Sequence, residues 1–356
     1  MRIALALSGG VDSAVAAHLL AREGHEIVAL TMSLCDLTPG PAATRWFTGS
    51  TERARETAAA LGIEIVVVDV GREFERSVVG GFVREYARGR TPNPCVVCNR
   101  AVKFGVLLEA AESVGAAALA TGHHARVVRG ETAGRFFLAR GRDTTRDQSY
   151  FLYRLREREL AKIVMPVGEI SKGEVLKVAM EAGLPAAGRV ESRDTCFAPP
   201  GEIEAFLRVH APESVQPGPI ESLDGETLGE HRGIGLYTVG QRSGLGLARP
   251  ERSYVVRIDP GRRAVIVGGE SDLLATELRA EDLAWVAGSP PGSGFEAAAR
   301  IRLGTTPVGC VVRLGEGAAR VRFSRPVRAV APGQSIVFYE GEIVLGGGVI
   351  AAPGRS

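Results

Sequence analysis

The sequence has no apolar run that approaches the ~18–20 residues needed to cross a bilayer. Its first ten residues lack the apolar segment and the small-residue cleavage site of a secretory signal. We therefore expect a cytoplasmic protein with no membrane association. Cysteine is also scarce. Five cysteines among 356 residues, an odd number, argue against a secreted disulfide scaffold and favour a reducing compartment.

An excess of charge of one sign is likewise absent. The formal net charge is +2, which at first argues against a nucleic-acid partner. The basic residues are nevertheless unevenly spread, and nearly all are arginines, which suit bidentate phosphate contacts. Three stretches are rich in them, at residues 72–103, 126–162 and 300–328. An RNA-binding surface and a bias in base composition explain this distribution equally well.

Strand and helix patterns alternate over the first half of the chain. Four apolar runs predict strands, at residues 3–7, 26–32, 64–70 and 116–121. Because amphipathic stretches separate them, we predict an α/β fold with a doubly wound parallel sheet over residues 1–200. Ligands bind such sheets beyond the carboxyl ends of the strands, so Ser8–Ser13, Met32 and Thr121–His124 should meet in one crevice.

The pattern changes at about residue 201. A short helix at 203–209, loops rich in proline and glycine, and brief strands predict a second, smaller domain over 201–272. From 273 to 356 the chain consists of short strands and turns, which predicts a C-terminal β-barrel.

The segment Ser8–Ser13, with the sequence SGGVDS, joins the first predicted strand to the first predicted helix. Adjacent glycines let the backbone approach a ligand closely, and the N–H groups of a helix N-terminus attract an anion. The two serines add hydroxyl donors, and Asp12 is predicted to cap the helix and to approach a magnesium ion held by phosphates. The loop matches neither a Walker A motif nor a dinucleotide-binding loop. It resembles the pyrophosphate loop of the N-type ATP pyrophosphatases.

Three cysteines lie in polar loops. Cys95 and Cys98 follow a proline-rich segment, before a helix predicted to begin at Val102, and Cys196 lies in a second loop. The helix dipole with Arg100 or Lys103 should lower the pKa of Cys98, and Arg193 should lower that of Cys196. Cys35 follows an apolar strand and Cys310 lies within one, and we expect both to be small core residues.

The Cys-x-x-Cys spacing of Cys95 and Cys98 is compatible with three chemistries. These are thioredoxin-like redox exchange, half of a zinc site, and iron–sulfur ligation. No second Cys/His pair follows at zinc-finger spacing, which disfavours zinc. Together with Cys196 the motif supplies three thiolates, which match an iron–sulfur cluster with one open iron.

Several separated motifs carry a resemblance that spans nearly the whole chain. They lie, in order, at residues 6–13, 91–99, 121–125, 147–152, 194–197, 240–246 and 332–335. Together they resemble the bacterial tRNA-specific 2-thiouridylases (tRNA-uridine 2-sulfurtransferases). The resemblance implies a PP-loop ATP pyrophosphatase domain of the adenine-nucleotide hydrolase-like type, a small α+β adaptor domain and a tRNA-contacting β-barrel. It also implies thiolation of the wobble uridine: ATP adenylates the C2 carbonyl oxygen with pyrophosphate release, and sulfur transfer to C2 then releases AMP.

The resemblance further implies roles for individual residues. The nucleotide, with Mg²⁺, would be held by Ala6, Leu7, Ser8, Gly9, Gly10, Val11, Asp12, Ser13, Met32 and Gly122. The tRNA would be contacted by Asn93, Pro94, Cys95, His123, Arg146, Asp147, Gln148, Arg302, Leu303 and Gln334. Cys196 would carry a persulfide delivered by a sulfur-relay protein. Cys98 would be its partner nucleophile, either forming a disulfide with Cys196 or helping to release sulfide.

Three residues depart from the pattern of the family. Cys95 replaces a common aspartate, and the added thiolate raises the alternative of a [4Fe–4S] cluster on Cys95, Cys98 and Cys196. Leu303 replaces the tyrosine of an Arg-Tyr pair, and His124 replaces a tyrosine and is expected to be a packing substitute. Two other functions compete: a PP-loop ATP pyrophosphatase acting on another RNA base or a small molecule, and a non-catalytic tRNA- or nucleotide-binding module.

Overall fold

The computed structural model describes residues 1–34, 41–130, 134–188, 195–197, 201–247 and 252–351, with the backbone alone at 41–46. Cys35, Arg193 and Asp194 therefore lie outside the described residues. Three sheets are formed within these ranges. None of the helices found there is both long and apolar enough to cross a membrane.

Among the described residues, seven strands lie in the first half of the chain. They are β1 (Arg2–Ala6), β2 (Glu26–Ser33), β3 (Glu64–Asp69), β4 (Ala118–Thr121), β5 (Ala125–Arg129), β6 (Phe136–Arg140) and β7 (Ile163–Val164). Five of them form a parallel sheet in the order β3-β2-β1-β4-β7. The four strands predicted from the sequence are confirmed. The chain order reverses between β1 and β4, which is where open α/β sheets bind their ligands.

Helices cover both faces of this sheet. They are α1 (Val11–Arg22), α2 (Pro41–Leu61), α3 (Gly71–Glu73), α4 (Gly80–Ala87), α5 (Pro94–Cys98), α6 (Leu107–Ser113), α7 (Glu157–Leu160) and α8 (Lys172–Glu181). Helices α1 and α8 pack with part of α2 in one apolar cluster, and α4 and α6 pack in another. Neighbouring β1 residues divide between the clusters, Ile3 and Leu5 in one and Ala4 in the other. This alternation confirms the doubly wound fold.

Two of the helical regions are continuous through π-helical turns. The turn Phe74–Val79 joins α3 to α4, and the turn Asn99–Val106 joins α5 to α6. The predicted helix start at Val102 is therefore wrong. Pro94 occupies the first turn of the helix, where its missing N–H costs nothing, so the helix starts before Cys95 instead of after it.

The middle of the chain forms a small mixed sheet beside one helix. The elements are α9 (Ile203–His210), β8 (Gly218–Ser222), β9 (Thr227–His231), β10 (Tyr254–Asp259) and β11 (Ala264–Gly268). The strand order is β10-β11-β8-β9. The α+β character predicted for this region is confirmed.

The last part of the chain is a closed β-barrel, as predicted. Its strands are β12 (Leu274–Trp285), β13 (Gly294–Arg300), β14 (Val308–Gly315), β15 (Ala318–Arg328), β16 (Ser335–Glu340) and β17 (Ile343–Ile350). Pairing of β12 with β17 closes the barrel. Cys310 is 6% exposed in its core, which confirms its predicted packing role.

The hairpin of β5 and β6 extends the barrel sheet, although it lies in the first half of the chain. Ala139 of β6 pairs with Ile343 of β17, and the Arg140 N–H donates to the Glu342 carbonyl at 2.9 Å. The sequence patterns predict neither β5 nor β6. The two strands pair with each other, whereas the pairing of β6 with β17 joins segments about two hundred residues apart, which no local pattern predicts.

Candidate active site

The glycine-rich loop leaves β1 at the carboxyl edge of the parallel sheet. Gly10 is the N-cap of α1 and has no side chain to accept hydrogen bonds from the first helical N–H groups. Ser13 Oγ donates to the Gly10 carbonyl at 3.0 Å and lies 3.2 Å from Ser8 Oγ. The loop is thus held by its own serines, with the positive end of the α1 dipole facing the crevice.

Close packing explains why glycine occupies two positions around the loop. Gly9 has φ +73°, and a Cβ there would lie 2.5 Å from Arg53 Cβ and 2.8 Å from the Ala54 nitrogen. Gly122 follows β4, and its Cβ would lie 2.6 Å from the Ser13 nitrogen. Helix α2 and the end of β4 therefore approach the loop to a distance that no larger residue permits.

One cavity of about 780 Å³ opens on this loop. All ten residues predicted to hold the nucleotide line it, together with His123 and Gln148 from the predicted tRNA set. The volume falls in the usual range for a ligand of nucleotide size. The lining also includes residues that the sequence analysis did not assign to a nucleotide: Leu30, Thr31, Ser50, Arg53, Lys103, Leu107 and Thr121.

Arg53 and Lys103 bring two cations to a cavity whose lining contains one described acidic residue, Asp12. Both basic residues lie on helices, α2 and the π-helical turn after α5. Whether these two side chains face the crevice depends on how the helices pack on the sheet. The sequence pattern places the charge of Lys103 near Cys98, but it does not reveal that Lys103 and Arg53 face the nucleotide cavity.

Asp12 does not cap α1, contrary to the prediction, because it lies inside the helix after the Gly10 N-cap. Its Oδ1 accepts a hydrogen bond from Lys172 Nζ at 2.6 Å and lies 3.0 Å from His124 Nε2. Burial alone would raise the pKa of Asp12, but the hydrogen bonds and charges of His124 and Lys172 outweigh it and lower the pKa. Asp12 is therefore an ionised carboxylate in the lining of the cavity.

His123 and His124 occupy different environments. His123 Nδ1 lies 2.8 Å from Thr121 Oγ1, and burial together with the charge of Lys103 lowers the pKa of His123 well below its usual value. His123 is therefore a neutral ring in the cavity wall. His124 is 4% exposed and contacts Asp12, while its Nδ1 is buried without a hydrogen-bond partner among the described residues. It is a polar partner of the loop carboxylate as well as a packing residue.

The three loop cysteines approach one another beside the crevice. Cys95 is exposed, and Cys98 and Cys196 are partly buried against the same apolar cluster. Phe197 anchors the Cys196 segment, since its ring packs edge-on against Phe82 at a centroid distance of 4.9 Å. Deprotonating Cys95 or Cys98 would disfavour ionisation of Cys196, so the three sulfur atoms are electrostatically coupled.

The predicted thiolate character of Cys98 and Cys196 is wrong for this state of the protein. Burial raises the pKa of Cys98 to about 11, and the charge of Lys103 offsets this only in part. Burial and the two other cysteines raise the pKa of Cys196 to about 12. The Arg100 guanidinium lies 3.5 Å from the Glu159 carboxylate, and this ion pair offsets its charge. Both thiols are neutral near pH 7.

Two of the residues predicted to contact tRNA, Gln334 and Arg302, lie near the segment that carries Cys95 or near its partner Tyr150. Gln334 Nε2 donates to the carbonyls of Thr91 and Pro92 at 2.9 and 3.2 Å, so the barrel supports this segment directly. The Asn93 side chain hydrogen-bonds Tyr150, which also feels the charge of Arg302.

The other predicted tRNA residues differ in exposure. Leu303 is 45% exposed, whereas Gln148 uses Oε1 to accept the His124 N–H at 2.8 Å. Arg146 also has an interaction within the chain. Asp147 has a fully buried carboxylate that accepts from Arg140 Nε at 3.1 Å and from Arg300 Nη1 at 2.8 Å. In this conformation the Asp147 side chain fastens the barrel to the β5–β6 hairpin, and its contact with tRNA stays a prediction.

A loop of this type at the switch point of a doubly wound sheet, opening on a cavity of nucleotide size, defines the class of the protein. It is a PP-loop α/β protein with a C-terminal barrel. Residues 1–200 match the family described as tRNA methyl transferase HUP domain, residues 204–269 the tRNA methyl transferase PRC-barrel domain, and residues 275–350 the aminomethyltransferase beta-barrel domain.

Relatives resemble the chain over its whole length. The tRNA-specific 2-thiouridylase MnmA of Chloroflexus aurantiacus is 45% identical, with 99% of this chain and 98% of the relative covered. The tRNA-specific 2-thiouridylase MnmA of Geobacter metallireducens is 45% identical over 99% of this chain and 97% of its own. The chain belongs to the tRNA-specific 2-thiouridylase family.

A solved 4-thiouridine synthetase–RNA complex with bound ATP is a remote structural neighbour. Its TM-score is 0.37 at 18% identity, covering 60% of this chain and 50% of that one. This similarity is too low to carry a functional argument.

Proposed function

We propose that this protein catalyses the ATP-dependent 2-thiolation of the wobble uridine of tRNA. The observation that carries the proposal is the position of Lys103. This side chain lines the cavity of the glycine-rich loop, and its charge acts on Cys95, Cys98 and Cys196. A nucleotide site and a sulfur site thus share a wall, which is the arrangement that an adenylation followed by a sulfur transfer requires.

In the first step, the C2 carbonyl oxygen of the uridine would attack the α-phosphate of ATP, and pyrophosphate would leave. Carbonyl oxygen is a poor leaving group, so adenylation prepares C2 for substitution. The backbone N–H groups of Ser8–Gly10 and the cations Arg53 and Lys103 would stabilise the charge that develops on the phosphates. The remaining predicted nucleotide residues, Ala6, Leu7, Val11, Met32 and Gly122, would shape the cavity wall.

Asp12 is a suitable ligand for the expected magnesium ion. It is an ionised carboxylate among the cavity residues, and Mg²⁺ binds to one or two carboxylates together with substrate phosphates. Bound there, the ion would neutralise phosphate charge. Lys172 and His124 would orient the carboxylate toward it.

In the second step, a persulfide on Cys196, delivered by a sulfur-relay protein, would attack C2 through its terminal sulfur, and AMP would leave. The resulting disulfide joins Cys196 Sγ to the sulfur on C2. Cys98 would then attack Cys196 Sγ, forming a Cys98–Cys196 disulfide and releasing the base with its C2 sulfur. An external thiol must reduce that disulfide before the next turnover. The nearness of the two cysteines supports this pairing.

A [4Fe–4S] cluster would instead need Cys95, Cys98 and Cys196 as three converging ligands. Within the described ranges, no group of three His, Cys, Asp or Glu residues is arranged to hold a metal ion. The three thiols as placed do not form such a set, and we derive no step through a cluster.

The target base would lie against Asn93, Pro94 and Cys95, flipped out of its stack because C2 is inaccessible within it. Contacts by His123 and Gln148 would follow from their places in the cavity lining, and a contact by Arg302 from its nearness to Tyr150, the partner of Asn93. Arg146, Asp147, Leu303 and Gln334 complete the proposed tRNA set. We further propose domain boundaries near residues 200 and 272, which the family matches to 1–200, 204–269 and 275–350 support.

The test is the 2-thiouridine content of tRNA from cells that lack this gene, complemented with variants. Wild type should restore wobble 2-thiouridine and Cys196→Ser should not, although it should bind tRNA with unchanged affinity. Cys310 lies in the core of the barrel and has no proposed part in catalysis. The variant Cys310→Ala is therefore the matched control and should restore thiolation. Full thiolation by Cys196→Ser, or wild-type 2-thiouridine without the gene, would refute the proposal.

A further inference from the structure

The Cys-x-x-Cys motif contains one cysteine to which the proposed sulfur transfer gives no chemical step. Cys95 and Cys98 lie three positions apart on α5, which continues into the π-helical turn that follows. On a regular helix this spacing puts the two Cα atoms about 5 Å apart, within the range that a disulfide bridges. A bond between Cys95 and Cys98 therefore needs only side-chain rotation and a small adjustment of one helical turn.

The first turn of α5 is suited to such an adjustment. Asn93 is the N-cap but makes no capping hydrogen bond with its side chain, and Pro94 has no N–H group to donate. The Val96 N–H donates to the Asn93 carbonyl at 3.2 Å, which is a long hydrogen bond. The turn that carries Cys95 is thus held less tightly than a fully capped helix start.

The three loop cysteines differ in their access to solvent. Cys95 is exposed, whereas Cys98 and Cys196 are partly buried against one apolar cluster. A charge on Cys95 would raise the pKa of both other thiols, so its sulfur lies within electrostatic reach of each. A disulfide that includes Cys95 is therefore more accessible to an external reductant than one between Cys98 and Cys196.

We propose that Cys95 is a resolving cysteine, which frees Cys196 by thiol–disulfide exchange after each sulfur transfer. The inference rests on the proposed function, whose last step leaves a disulfide between Cys98 and Cys196. The Cys95 thiolate attacks Cys98 Sγ, a bond forms between these two sulfur atoms, and the bond from Cys98 to Cys196 breaks. Cys196 keeps the electron pair of the broken bond and takes up the proton that Cys95 gave up. The exchange itself consumes neither an oxidant nor a reductant.

The exchange brings the oxidised bond to the protein surface before the external thiol acts. A dithiol reductant then reduces the disulfide between Cys95 and Cys98, supplies two electrons and two protons, and becomes a disulfide itself. Cys196 is already a free thiol at this stage and is ready to accept the next persulfide. The Cys-x-x-Cys motif thus acts in redox exchange, one of the three chemistries with which its spacing is compatible.

The first test identifies the disulfide that accumulates during turnover in cells. Cells that express the full-length protein are quenched in acid, free thiols are alkylated, and disulfide-linked peptides are identified by mass spectrometry. Oxidised wild type should carry the bond between Cys95 and Cys98, with Cys196 alkylated. Cys95→Ala should carry the bond between Cys98 and Cys196 instead. Cys310→Ala, a change of the same size in the barrel core, is the control and should match wild type.

The second test does not depend on thiolation. Purified full-length protein is equilibrated with a glutathione redox buffer, and its disulfides are mapped in the same way. The bond between Cys95 and Cys98 should form in wild type and also in Cys196→Ser, which is expected to be inactive. Once oxidised, wild type should be reduced by dithiothreitol at least about tenfold faster than Cys95→Ala, whose remaining disulfide is partly buried.

Three results would overturn the inference. The first is a wild type that carries only the bond between Cys98 and Cys196 in cells and in the redox buffer. The second is reduced thiolation by Cys95→Ala with the same reduction rate as wild type, since Cys95 would then only contact the base. The third is iron that copurifies anaerobically with wild type and is lost in Cys95→Ala, which would make Cys95 a metal ligand. If the bond between Cys95 and Cys98 forms in the redox buffer but wild type thiolates no tRNA, this redox pair stands and the proposed function fails.

Discussion

Lys172 Nζ lies 2.6 Å from Asp12 Oδ1 and joins the first turn of α8 to the first turn of α1, across 160 positions of sequence. His124 Nε2 lies 3.0 Å from the same oxygen. Lys172 is 8% exposed and the Asp12 side chain is 25% exposed, so the pair is partly shielded from water. This contact holds the only described carboxylate of the cavity in one orientation, beside the loop that is proposed to bind phosphates.

Replacing Lys172 with methionine should weaken the folded state and the nucleotide site together. The substitution keeps the apolar stem but removes a hydrogen bond to a charged group, which stabilises proteins by about 1.5–3 kcal/mol. Urea unfolding should show a loss of about this size, and calorimetry should show weaker Mg²⁺–ATP binding. Lys177→Met on the same helix, an exposed position, is the control and should change neither. Equal stabilities of the two variants would contradict the importance of the contact.

The stability contributed by Asp12 should depend on pH in a defined direction. The folded state lowers the pKa of Asp12 below 3.8, its ordinary value. Such a group contributes its full stabilisation above the unfolded pKa, and the contribution disappears as the pH falls through the folded value. The difference in unfolding free energy between wild type and Asp12→Asn should thus be constant from pH 7 to about 5 and shrink below about 4. A difference that grows with acidification would contradict this assignment.

Alanine at Gly9 should be far more damaging than alanine at Gly24. Both residues have positive φ, +73° and +81°, but a Cβ at Gly24 meets nothing within 4 Å, whereas at Gly9 it meets Arg53 Cβ at 2.5 Å. Gly24→Ala should cost about 1–2 kcal/mol from backbone strain alone. Gly9→Ala should cost more and should also weaken ATP binding at least tenfold, as measured by calorimetry. Similar effects of the two substitutions would show that packing against α2 is unimportant.

The cysteine thiols should be slow to alkylate in the resting protein. With a pKa of about 11, Cys98 is mostly protonated at pH 8, so its reaction with iodoacetamide should be about two orders of magnitude slower than that of a free thiol. Peptide mass spectrometry measures the rate at each cysteine. The rate should rise with pH up to the stability limit, and unfolding in guanidinium should restore ordinary reactivity. Rapid alkylation of Cys98 at pH 7 would indicate a stabilised thiolate.

Asp147→Ala should destabilise the protein strongly, because it leaves the buried Arg300 guanidinium without a carboxylate. Removing one partner of a buried ion pair typically costs about 3–5 kcal/mol. Asp282→Ala breaks the exposed pair with Arg154 and should cost at most about 1 kcal/mol. Urea unfolding of both variants measures the difference. A small effect at Asp147, accompanied by weak tRNA binding, would support direct contact with tRNA instead.

Local patterns were sufficient for much of the fold. The first four strands and α9 alternate or cluster their apolar residues over short spans, and the glycine-rich loop is contiguous. The attachment of the β5–β6 hairpin to the barrel is not predicted, because β6 pairs with β17 about two hundred residues further along the chain. The predicted start of the cysteine helix is wrong because Pro94, a residue type that usually interrupts helices, occupies its first turn.

The site shows the same division. Arg53 and Lys103 line the nucleotide cavity only because of how their helices pack on the sheet. The sequence by itself determined ten other lining residues and the grouping of the three loop cysteines, since both follow from motif composition. Only the tertiary structure decided their electrostatic state. Burial, which depends on neighbours from distant segments, raises the pKa of Cys98 and Cys196, although the local charges predicted the opposite. Likewise, the role of Asp12 depends on Lys172, which lies 160 positions further along the chain.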